Sequence, residues 1–267
     1  MTTVPRHPVA PDFAQKQLDA LAPQIGFYLD YIEKDAAALK NVLGRALELA
    51  QYAAVLDPAA AEADLRTAAQ AATAIFSAAA GEGEIEAVVA KPVRFQATGP
   101  VSYANGGAWL FAVWLAIASH EDELVQRLCA IPEETLRASG AEHDAYLYPW
   151  VRTVRNFLTN QEIPPELFST VMDGTDPDAA VRTPKRAMAQ LVYPPVEMFY
   201  FLLRRDAEKF GASLVRALEQ HRKFWAGDLA DDPDGFIAFA PLAIAELAKS
   251  AGMPVEVESE YLLSGQK

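Results

Sequence analysis

The chain has 267 residues, enough to bury one large core or two modest ones. Its net charge of -13 argues against non-specific binding of nucleic acid or anionic lipid, which both need a positive surface. A single cysteine, Cys129, excludes an internal disulfide and reads as a small buried apolar side chain, so a reducing, cytoplasmic setting is expected.

Pro5, Pro8 and Pro11 punctuate the start, which shows no apolar leader, and predict a flexible N-terminal arm over 1–11. Asp12 and Gln15 have capping-box spacing and predict a helix running towards Leu21, interrupted near Pro23. A second helix, over 25–55, carries Leu39, Val42, Leu43, Ala46, Ala50 and Ala53 on one face. Asp57-Pro58 opens a third, an acceptor at the cap followed by a preset φ, and Gly81 to Gly83 stop it. EIEAVV and VRFQAT then break the helical rhythm and predict a small hairpin over 84–98, which must lie against helices to be stable.

Next comes YANGGAWLFAVWLAIAS, residues 103–119, opened by Ser102 or Asn105. Residues 108–118 contain no charged or amide side chain, yet eleven residues are too few to cross a bilayer. The segment therefore predicts a helix buried on most of its faces, with Trp109, Phe111 and Trp114 in the core. Short helices follow to Ala130 and from Pro132 to Gly140, then one over 144–160 with Trp150 facing inward. Further helices are predicted over 164–173, from Thr183-Pro184 to a stop at Tyr193 before Pro194-Pro195, over 206–225 ending in core Trp225, and over 240–251. Gly252 and Pro254 close the last helix and lead into a short strand, 255–259. The sum is an all-α, mainly helical chain: an irregular multi-helix bundle or short solenoid of antiparallel helix pairs, with one small β-hairpin and a short C-terminal strand. A single helical domain over 12–267 is preferred, with a lobe divide weighed near 81–99.

Reactive chemistry is not signalled. His7, His120, His143 and His221 are scattered, no Glu-x-x-His pair occurs, and His221 on an apolar stripe reads as a hydrogen-bonded core histidine. Neither a nucleophile elbow nor a phosphate-binding glycine loop is present, so no catalytic residue, metal or cofactor is expected. Residues 182–223 hold nine Lys or Arg against four Asp or Glu, which reads as a solvated helical face rather than a nucleic-acid site.

Two blocks carry a family resemblance. The tail, PLAIAELAKSAGMPVEVESEYLLSGQK, combines a helix, a Gly-x-Pro turn, VEVES and Tyr-Leu. The second block is GPVSYANGGAWLFAVWLAIASHEDE with the strand pair before it. Together they resemble the immunity protein 49 family of bacterial polymorphic toxin systems, over residues 40–262. The resemblance implies a non-catalytic antidote that binds a cognate toxin domain and blocks it. Asp228, Asp231, Asp232 and Asp234 in one loop, with Glu256, Glu258 and Glu260 in the tail, are the candidate contacts on this reading. Two other readings stay open: a helical scaffold for another protein, and a small-molecule pocket around Tyr146, Tyr148, Arg152 and Arg155.

Overall fold

A computed structural model describes residues 2–263. Met1 of the expected arm and the last four residues of the expected domain lie outside the described residues. The fold is mainly helical, with two small two-stranded sheets among the described residues. It divides into two compact units, Pro11–Glu142 and a second built from residues 2–10 together with 143–263. The division therefore falls after Glu142, not near 81–99, because the hairpin packs on the helix before it.

The expected arm is engaged. Thr2–Thr3 forms strand β1, which belongs to the second unit and is described with it.

The N-terminal unit begins with α1 (Pro11–Tyr31), which runs straight through Pro23. Pro23 and Asp19, whose carbonyl the missing N–H would have bonded, are both exposed to water, and next to them the Gln24 side-chain amide donates to the carbonyl of Ala20 at 2.9 Å. No capping box forms at Asp12; Gln15 instead donates to Asp19 at 2.9 Å, one turn on. The break comes later, where the backbone N–H groups of Lys34 and Asp35 both return to the carbonyl of Tyr31. Helix α2 (Ala38–Leu56) and, after a 3-10 turn capped by Asp57, α3 (Glu62–Ala80) follow and pack on each other. The hairpin consists of β2 (Glu84–Val89) and β3 (Lys91–Gln96), antiparallel, with Glu84 opposite Gln96 and Val89 opposite Lys91. Val89, Val93 and Phe95 face the core, and Gln70 of α3 accepts the N–H of Ala90 at 2.8 Å.

Helix α4 (Gly106–Ala118) is the buried helix predicted around the tryptophans. Of the two candidate caps, Asn105 serves: its side chain accepts from Ala108 N–H at 3.1 Å. Trp109 is fully buried, and its indole N–H donates to the carbonyl of Leu128 at 2.8 Å, tying α4 to α5 (Asp122–Cys129). Trp114 is also buried, whereas Phe111 and Cys129 are only half-buried. The short α6 (Glu133–Arg137) ends this unit.

The second unit holds α7 (Leu147–Leu158), α8 (Pro165–Gly174), α9 (Lys185–Ala187), α10 (Tyr193–Leu203), α11 (Ala207–Trp225) and α12 (Phe239–Ser250). The stop expected at Tyr193 does not occur. A π-helical turn, Met188–Val192, joins α9 to α10. Pro194 and Pro195 have no N–H to give, and the wider turn ahead of them lets the chain stay helical without those bonds. Trp150 on α7 meets Phe199 on α10 edge-on, ring centroids 4.9 Å apart, and forms the aromatic centre of this unit.

Candidate functional site

The seven acidic candidates all lie in the second unit, on two segments that share one buried support. The first segment is the tail strand β4 (Val257–Glu258), which pairs in parallel with β1, Thr2 opposite Val257. Gly252, at φ +74, makes the turn before it, a conformation an L side chain resists. Side chains alternate from there. Val257, Ser259 and Tyr261 are buried, while Glu256, Glu258 and Glu260 are exposed and line one side, as period two requires. Glu260 is already engaged, accepting from the backbone N–H of Arg6 at 2.7 Å. The Ser259 hydroxyl donates to the carbonyl of Val4 at 2.6 Å and stitches the tail to the N-terminal stretch that carries β1.

The second segment is the loop between α11 and α12, with 3-10 turns at Gly227–Leu229 and Pro233–Gly235. Asp228, Asp231 and Asp234 are exposed. Asp232 is half-buried and is spent on local structure, accepting from Asp234 N–H at 3.1 Å. Gly235 lies flat on Trp225: a Cβ there would sit 2.5 Å from the indole Cγ, so no other residue fits without movement. Trp225 is half-buried under the loop rather than enclosed in the core.

Between the segments sits a polar cluster that sequence reasoning did not assemble. The Tyr261 hydroxyl accepts from His7 N–H at 3.0 Å and lies 2.8 Å from His7 Nδ1. His7 Nε2 lies 3.2 Å from the carbonyl of Ala230 in the acidic loop, which can only accept, so the neutral imidazole carries its proton on Nε2 and Nδ1 accepts from the Tyr261 hydroxyl. His221 on α11 stacks edge-on against Tyr261 at 4.9 Å, and its Nε2–H reaches the carbonyl of Gly235 at 2.9 Å. Burial pushes His221 down to about 4 and Tyr261 up to about 12, so both are neutral at pH 7. Two histidines and one tyrosine thus fix the loop and the tail strand with uncharged hydrogen bonds. The signal that could have found them was the pairing of buried, alternating Ser259 and Tyr261 with a histidine in a proline-rich start.

Asp144 was also missed. Burial works against its charge, but the Thr183 hydroxyl and the backbone N–H groups of Arg182, Thr183 and Val181 outweigh it and hold the carboxyl well below the usual carboxylate range. The distances are 2.8 Å to Val181, 2.9 Å to Arg182 and 2.8 Å to Thr183, a carboxylate used to fix a loop. Of the residues weighed for a small-molecule pocket, Tyr146 is buried, Tyr148 and Arg155 are half-buried, and Arg152 is exposed. Among the described residues no group of three or more His, Cys, Asp or Glu is placed to hold a metal ion, and no helix is long and apolar enough to cross a membrane.

The fold and this surface define a class: a mainly α-helical protein that holds an exposed acidic row on a neutral, hydrogen-bonded base. The sequence profile of Immunity protein 49 matches residues 55–262, most of the chain, and the chain belongs to that family. No curated protein and no solved structure matches it.

Proposed function

We propose that this protein neutralises a cognate bacterial toxin domain in the cytoplasm by binding and covering it, with no catalytic step. Membership of an immunity protein family carries the reading, since an antidote must recognise a partner protein. The acidic loop and tail strand are the proposed contact surface. Their carboxylates sit on backbone fixed by Tyr261, His7 and His221, so little ordering entropy is lost on binding. The charge suits a basic toxin face, where complementary potentials accelerate encounter and select the partner.

The test takes a toxin domain from a reading frame neighbouring that of this chain, once found, and measures association by surface plasmon resonance. Reversing Asp228, Asp231, Asp232, Asp234, Glu256, Glu258 and Glu260 to lysine is expected to slow association by at least about tenfold, with the salt dependence lost, and to abolish rescue of toxin-expressing cells. Unchanged association with all seven reversed rules this surface out.

A further inference from the structure

The N-terminal unit carries a second surface of different character. Among the described residues, five large apolar side chains are prominently exposed; two of them, Phe27 and Tyr31, lie on α1 and a third, Val88, near the hairpin tip. An exposed ion pair links the two elements, Lys91 at the hairpin turn with Asp30 on α1. Phe27 stacks on Tyr31 at 6.1 Å, and Val88 stands opposite the exposed Pro92 across the hairpin. Val88 and Pro92 also line a cleft of about 530 Å³, together with Ala87, Val93 and charged side chains. Glu33 and Arg127, both exposed and in no ion pair among the described residues, stand on its walls.

Charge decides what fits there. Residues 11–142 hold 18 acidic and nine basic side chains, a net -9. At this junction the balance differs: Asp30, Glu33 and Glu86 against Lys34, Lys91, Arg94 and Arg127. Arg94 pairs with Glu86 at 2.7 Å, and the Lys34 ammonium lies over the Tyr31 ring at 5.6 Å. A strongly basic partner would find better sites elsewhere on this unit. Across this unit, with its net -9, a second copy of the same unit is repelled least at an island where charges cancel. The walls are also self-complementary. With a two-fold axis placed through the cleft, Glu33 of one copy would face Arg127 of the other, twice, as an isologous interface demands.

We infer that this face is a homodimer interface, in which Phe27, Tyr31, Val88 and Pro92 are buried and Glu33 pairs with Arg127 of the second copy. Sedimentation velocity of the full chain, without any toxin, over about 1–100 µM tests it, a range in which interfaces of ordinary size associate. The wild type is expected to be dimeric. Glu33→Arg or Arg127→Glu alone is expected to raise the dimer Kd by at least about tenfold, since each places two like-charged pairs in the interface. The double variant Glu33→Arg/Arg127→Glu is expected to restore it, and Phe27→Ser to weaken it. All these side chains are exposed, so far-UV circular dichroism should be unchanged. A monomeric wild type, single reversals that leave the dimer intact, or a double variant that stays dissociated would each overturn the inference. None of these outcomes bears on toxin binding.

Discussion

The two units fill their interiors with different side chains. In the N-terminal unit, α2 and α3 bury Ala46, Ala50, Ala53, Ala68, Ala69, Ala72 and Ala79 and approach each other on small residues. The C-terminal unit is held by interlocked rings: Trp150 on Phe199 at 4.9 Å, Phe199 on Phe157 at 5.1 Å, Phe168 on Trp150 at 6.4 Å. Small residues permit close axes and tolerate no added volume; rings supply large buried area and tolerate no loss. The same contrast extends to titration. The second unit buries His7 and His221, whereas the first holds only the exposed His120.

The largest effect should come from removing a ring. Phe199→Ala opens a cavity against Trp150 and Phe157 and is expected to cost about 3–5 kcal/mol in urea unfolding followed by tryptophan fluorescence. A loss below about 1 kcal/mol would mean the rings collapse to fill the space, and the contrast between units would weaken. In the alanine-packed unit the damaging change runs the other way. Ala72→Leu adds volume where only 2 % of the residue is exposed and should cost about 1–3 kcal/mol by overpacking. A neutral outcome would show that α2 and α3 are not in close contact at that point.

The smallest effect at neutral pH is the sharpest test of the difference in histidines. His221 is held near 4, below its ordinary value of 6.5, so the native state binds fewer protons than the unfolded state between those values. Its contribution to stability is complete above pH 6.5 and is lost as pH falls towards 4; His7 shifts in the same direction by burial. Hydrogen exchange at pH 5 against pH 7 should therefore show protection falling in α11 and α12 before α2 and α3. The variant His221→Gln should make that fall shallower. Equal losses in both units would break the comparison.

The contrast also explains what the sequence made visible. Alanine stripes repeat at helical spacing, and the uncharged run around Trp109 and Trp114 stands out, so α2, α3, α4 and the hairpin are legible from local pattern alone. The acidic residues of the tail strand were legible for the same reason, since Glu256, Glu258 and Glu260 alternate with buried neighbours. Irregular backbone was not. Local rules read Pro23 and Pro194-Pro195 as stops, but exposure to water excuses the first and a π turn the second. The base of the acidic surface was hidden too, because its bonds join His7 to Tyr261 across 254 positions, and no window of sequence contains both.

That separation sets a timetable. Ser259 closes on Val4 over 255 positions, so β1 leaves the ribosome long before its mate is made. At ordinary synthesis speeds the wait is on the order of tens of seconds, during which Pro11–Glu142 has all of its own chain available and can fold first. The acidic surface would then be the last part of the molecule to take shape, assembled only when the tail segment that carries Glu256 and Glu258 emerges to capture a partner that has been waiting since the start.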